Sequence, residues 1–254
     1  MTKRRLVSRA TRVLRDGCLG MALLAAAGCG GGSSSSTGPS ALPAKLSLGE
    51  TGPKKVTAFG DSITVGILEL GRRDLGLATS NNYPALLQRK LRTLDPSWLV
   101  VNRGVGGEET VDGVGRLPSV LAVDQPSAVL IMEGTNDARK CWSADDAVRN
   151  LRSMVQIAKR ANATPIVATV PPSFTSRTCT HEIIAYVNDR IRGFAVAEGV
   201  VLAEVFHGMN NRALFGRDHV HPNERGYAVL AEIWFQAIQQ AARGGPTVAL
   251  RRQR

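Results

Sequence analysis

Aromatic side chains are scarce in this chain, at 5% of its 254 residues, and no basic patch interleaves with the few there are. Without stacking platforms beside phosphate-binding cations, a nucleic-acid surface has nothing to be built from, and no nucleic-acid partner is expected. Long apolar runs are missing too. Beyond residue 45 none approaches the ~18 residues that a membrane-spanning helix requires. No internal repeat appears, which sets solenoids aside. Acid is scarce at both ends of the chain. Residues 1–28 carry a net +5 and the tail from Arg243 a net +4, which leaves the body from 29 to 242 with only +2 of the overall +11. The strong basic balance therefore belongs to the termini, and the body is nearly neutral.

What the amino terminus does contain is an address. A basic segment, an apolar stretch from Leu19 to Ala27 and small residues before Cys29 have the layout of a signal peptide over 1–28. GGGSSSSTGPS follows and reads as part of a flexible linker over 29–53. LLAAAGC resembles a bacterial lipobox, with Ala26 where leucine is usual, and makes Cys29 a candidate for lipidation; a plain signal peptide cut nearby fits the same residues. Either reading places the protein outside the cytoplasm, in the cell envelope or secreted, with membrane contact through the lipid anchor only. The folded body then holds just Cys141 and Cys179. In an exported protein such a pair is a disulfide candidate, and two separate buried thiols are the alternative.

The body from 54 to 242 alternates two kinds of segment. Short Val/Ile/Leu-rich runs at 55–59, 98–102, 128–133, 165–170 and 200–205 read as buried strands, and 84–94, 144–161, 182–198 and 223–242 read as helices, with Ser143 and Asn223 as caps. Strands alternating with helices predict a five-stranded parallel sheet covered on both faces by right-handed crossovers. The residues 243–254 form a Gly/Pro/Arg-rich basic tail, read as disordered.

The polar and glycine-rich segments gather behind the strands. FGDSITVG closes the first, NRGVGGEET the second and EGTNDAR the third, while DHVHPNERGY precedes the last helix. In an open parallel sheet these segments crowd together at the carboxyl edge, where ligands bind. Asp61 and Ser62 suit the cap of a helix. They also suit chemistry, because a serine becomes a nucleophile when an imidazole takes its proton, and a carboxylate holds that imidazole in the right tautomer. Asp218 and His221, three residues apart, can supply that pair for Ser62. The amides of Ser62, Gly107 and Asn136 can supply donors for an oxyanion.

Those four segments, in this order, resemble the motif blocks of the SGNH hydrolase superfamily, the GDSL-type esterases and lipases, with Ile63 where the family's name has leucine. The resemblance covers about residues 54–242. It implies a flavodoxin-like three-layer α/β/α sandwich and a serine esterase or lipase that works without cofactor. It also implies that Ser62 is the nucleophile, His221 the base and Asp218 its orienting acid, with Ser62, Gly107 and Asn136 forming the oxyanion hole. Asp61 is expected to brace the serine turn and Asp137 to hold its own loop through local hydrogen bonds.

Other readings of these residues fare worse. GVGGEE lacks the third glycine of a dinucleotide loop and follows the wrong strand. Asp218, His219 and His221 lack a third histidine at ligand spacing, so no metal is expected. Pairing Glu108, Glu109, Glu133 or Asp137 as glycosidase carboxylates leaves the serine and its base without a role. A non-catalytic acyl- or glycan-binding lipoprotein on the same fold is the alternative from another class. The expected substrate is a short- to medium-chain acyl ester, such as an acetylated glycan or a lysophospholipid. Apolar residues between 63 and 77 and the segment 170–179 are expected to wall its pocket. Oligomeric state leaves no mark in the sequence.

Overall fold

A computed structural model describes residues 54–69, 75–77 and 80–244. The segment read as a signal peptide, Cys29 with its linker, and the tail beyond Gly244 lie outside the described residues. Within them, five strands, β1 (Lys55–Gly60), β4 (Leu99–Gly104), β5 (Ala128–Met132), β6 (Thr164–Ala168) and β7 (Val201–Ala203), form one all-parallel sheet in the order β4-β1-β5-β6-β7. The chain leaves β1 for one neighbour and later returns to its other side. That reversal makes the carboxyl ends of β1 and β5 the natural place for a site.

Both faces of the sheet are covered. Val56, Ala58, Leu130 and Ile166 pack under α2 (Tyr83–Arg92) and α8 (Glu224–Ala242), while Phe59, Val129, Ile131 and Val167 pack under α3 (Thr110–Asp124), α5 (Ala144–Arg160) and α6 (Thr178–Ala197). The result is an α/β/α sandwich. The helix α8 shows how the sequence dictates this. Tyr227, Leu230, Ala231, Trp234, Ile238 and Ala241 recur at helical spacing and are buried, and Asn223 caps the first turn by accepting from the Gly226 amide. Each large side chain buried this way contributes ~1.5–3 kcal/mol.

The chain differs from its periodicity in several places. Residues 110–124 form α3 although Gly113, Gly115 and Pro118 are poor helix formers; burial of Leu117 and Leu121 against α5 outweighs propensity. The strand expected at 98–102 extends to Gly104 because its last residues pair with Phe59 and Gly60. The helix expected from 182 starts at Thr178 and so includes Cys179. A small antiparallel hairpin, β2 (Ile67–Glu69) with β3 (Leu75–Leu77), stands where only an apolar wall was expected.

Candidate active site

Three elements build the serine turn. The strand β1 stops at Gly60, where a Cβ would lie 2.3 Å from Thr64 Oγ1 and 2.4 Å from the Met132 carbonyl. Only glycine lets the turn come this close to β5. Asp61 then caps the one-turn helix α1 (Ser62–Val65), its Oδ1 accepting from the Ile63 amide at 2.9 Å. The far end of α1 is held by two asparagines. Asn102 Nδ2 donates to the Thr64 carbonyl at 2.8 Å, and Asn82 Nδ2 donates to that of Val65 at 3.2 Å. Neither asparagine was singled out from the sequence. In hindsight Asn102 carried a signal, as a side-chain amide directly after Val100 and Val101 in an apolar strand.

The turn presents Ser62 to a histidine 159 residues away. Ser62 Oγ lies 2.9 Å from His221 Nε2, and His221 Nδ1 lies 2.5 Å from Asp218 Oδ2. The other carboxylate oxygen, Asp218 Oδ1, accepts from the amides of Val220 and His221, each at 3.0 Å. Burial works to raise the Asp218 pKa, but these hydrogen bonds prevail and bring it down to about 2. Asp61 goes the other way. Burial pushes its pKa up to about 6 against the lowering effect of the Ile63 amide. Ser62 and His221 are both buried.

The remaining predicted residues gather at the same edge. Gly107 has φ +78°, a left-handed conformation, although nothing crowds the place a Cβ would occupy; the dihedral and not the space calls for glycine. Asn136, in α4 (Thr135–Lys140), uses one amide hydrogen on the Glu108 carbonyl at 2.8 Å and has a second to offer. Among the described residues the amides of Ser62 and Gly107 find no backbone acceptor. The segments that follow β1, β4 and β5 thus each carry an available donor, and the Ser62 hydroxyl is hydrogen-bonded to an imidazole that a carboxylate orients. A serine hydroxyl paired with an imidazole in this way can add its oxygen to a carbonyl carbon, and free N–H donors are what the resulting oxyanion requires.

Asp137 does not act locally. Its carboxylate accepts from the amide of Thr110 at 3.0 Å and from the Thr110 hydroxyl at 2.6 Å, and so ties α4 to the start of α3. Cys141, at the end of α4, is disulfide-bonded to Cys179 in the first turn of α6, with Cα atoms 5.8 Å apart. Of the other candidates, Glu133 is buried with no hydrogen bond to either carboxyl oxygen among the described residues, and three have structural partners. Glu108 pairs with Arg116, Glu109 with Lys140, and His219 Nε2 with Arg212. Among the described residues no His, Cys, Asp and Glu side chains converge in a metal-holding group.

Residues 58–229 match the model of the GDSL-like lipase/acylhydrolase family. The chain is 29% identical over 161 residues to esterase TesA of Pseudomonas aeruginosa, which covers 58% of this chain and 76% of that protein. It is 31% identical over 109 residues to thioesterase 1/protease 1/lysophospholipase L1 of Escherichia coli strain K12, covering 43% of this chain and 47% of that protein. A crystal structure of TesA aligns with a TM-score of 0.63 at 25% identity, over 74% of this chain and 99% of that one.

Proposed function

This chain belongs to the GDSL-like lipase/acylhydrolase family and is a serine ester hydrolase, and from that premise we propose that Ser62, His221 and Asp218 are its catalytic triad. The observation that carries the proposal is the unbroken line of contacts from Ser62 Oγ through the imidazole to Asp218. Ser62 Oγ attacks the ester carbonyl carbon as its proton passes to His221 Nε2. The carbonyl oxygen, now an oxyanion, takes hydrogen bonds from the amides of Ser62 and Gly107 and from Asn136 Nδ2. His221 returns the proton to the departing alcohol oxygen, which leaves an acyl-enzyme. Water then repeats the sequence in reverse, giving up a proton to His221 and releasing the acid and free Ser62. Asp218 stays ionised throughout and stabilises the imidazolium.

The proposed substrate is a short- to medium-chain acyl ester, such as an acetylated glycan or a lysophospholipid. Exposed Val105, Val111 and Trp142 flank the segments that carry the site, and Ile67 Cδ1 stands beside Gly106, which supports an apolar acyl group. The nearly neutral body gives no reason to expect a strongly charged substrate. The amino-terminal layout supports export with a lipid anchor at Cys29, and the scarcity of aromatics beside basic residues gives no reason to expect a nucleic-acid partner. Turnover of p-nitrophenyl esters from acetate to palmitate, with Ser62→Ala alongside, tests the reading. A rate that peaks at short or medium chains and vanishes in Ser62→Ala is expected. Folded protein that turns over no ester would instead favour an acyl- or glycan-binding protein on this fold.

A further inference from the structure

Directly after the central strand β5 stands Glu133, 1% exposed, and among the described residues no N–H or O–H group meets either of its carboxyl oxygens. The charged groups that act on it are carboxylates, Asp61 from the serine turn, Glu108 from the loop after β4 and Asp137 from α4, and the nearby Tyr83 hydroxyl of α2 is a neutral phenol engaged with Thr64. Among the described residues no cation pairs with it. Arg116 of α3 is engaged in a two-pronged pair with Glu108, and His221 faces Asp61. An ionised carboxylate in this setting would have neither donor nor cation to offset its burial, which favours the protonated form. Burial, the charge of Asp61 and contact with Glu108 all push its pKa well above the usual carboxylate range.

The neighbour placed to receive that proton's hydrogen bond is Glu108. Its position is unusual, because its carboxylate is gripped by Arg116 while its backbone carbonyl accepts from Asn136 Nδ2, and it follows Gly107 in the chain. Fixing Glu108 therefore fixes two donors at once. We propose that Glu133 is a neutral carboxylic acid whose O–H donates a hydrogen bond to the Glu108 carboxylate and thereby positions the Gly107 and Asn136 donors of the oxyanion hole. The proposal rests on the roles given above to Gly107 and Asn136.

The test uses the full chain with p-nitrophenyl butyrate and two variants. Glu133→Gln keeps an N–H donor for Glu108, and Glu133→Leu removes it. At about pH 8, where an ordinary carboxyl is ionised, the wild type should show a carboxylic-acid C=O band in infrared difference spectra that disappears in Glu133→Gln. The Gln variant should keep kcat within about threefold. The Leu variant should lose about tenfold in kcat at unchanged KM, less than the loss of a whole oxyanion donor. A band that persists in Glu133→Gln, or full kcat in a folded Glu133→Leu, would overturn the proposal. If the Leu variant does not fold, the infrared band and the Gln rate decide: no lost band, or a Gln rate down tenfold, overturns it. Turnover that survives Ser62→Ala would instead count against the triad, and the infrared result stands apart from it.

Discussion

At the scale of single residues, the site separates carboxylates by what reaches them. Asp218 accepts from the amides of Val220 and His221 and from the His221 ring and is held at about 2, whereas Asp61, next to Ser62 in the chain, has one bonded oxygen and is pushed up to about 6. Asp218 is therefore anionic at any pH where the enzyme would work, and its task is orientation. Replacing it by asparagine keeps the shape but removes the acceptor that fixes the Nδ1 proton. Asp218→Asn should lower kcat by about four orders of magnitude, as loss of the orienting carboxylate does in serine proteases. Its melting temperature should stay within a few degrees of the wild type. Ester kinetics beside a thermal melt would check both, and a loss of less than tenfold would remove Asp218 from the triad.

At the scale of elements, the loops of the site are held by ties between helices more than by their own turns. Asp137 binds α4 to α3 through Thr110, and the Cys141–Cys179 bridge binds α4 to α6. The bridge spans 38 residues, for which chain entropy gives a stabilisation of about 4 kcal/mol. Replacing both cysteines with serine should lower the urea-unfolding free energy by an amount of that order, and an unchanged value would mean that the unfolded chain gains nothing from being opened. The bridge was legible as a candidate pair of cysteines; the Asp137 tie marks where the sequence stopped being legible. Ser62, Gly107, Asn136, Asp218 and His221 stand in short motifs whose residue types announce their chemistry, and all five lie at the one sheet edge that strand alternation predicted. The partners of Asp137 and Asn102 are 27 and 38 residues away. No local pattern encodes such a distance. The helix α3 was hidden for a related reason, since Gly113, Gly115 and Pro118 argue against a helix until α5 packs upon Leu117 and Leu121.

At the scale of the whole molecule, the buried acids under the serine turn should leave a signature in stability against pH. Asp61 has an ordinary pKa of 3.8 when unfolded and about 6 when folded. Below pH 3.8 it is protonated in both states and its contribution is fully present. As pH rises from there, the unfolded chain gives up the proton first, so stability falls until the folded group ionises near pH 6. The total is about 3 kcal/mol. Asp218 works with the opposite sign in another window, because its contribution is present above pH 3.8 and is lost as pH falls toward 2. The two slopes therefore do not mask each other. Asp61→Asn keeps an oxygen to cap α1 and removes the titrating group. At pH 4 the variant and the wild type should unfold at nearly the same urea concentration; at pH 7 the variant should be more stable by about 3 kcal/mol. Equal stabilities at both pH values would show that Asp61 ionises as easily folded as unfolded, and that the turn beneath Ser62 is wetter than its burial implies. A gain confined to pH 7 would mean that the fold carries an acid at its nucleophile turn at a standing cost in stability.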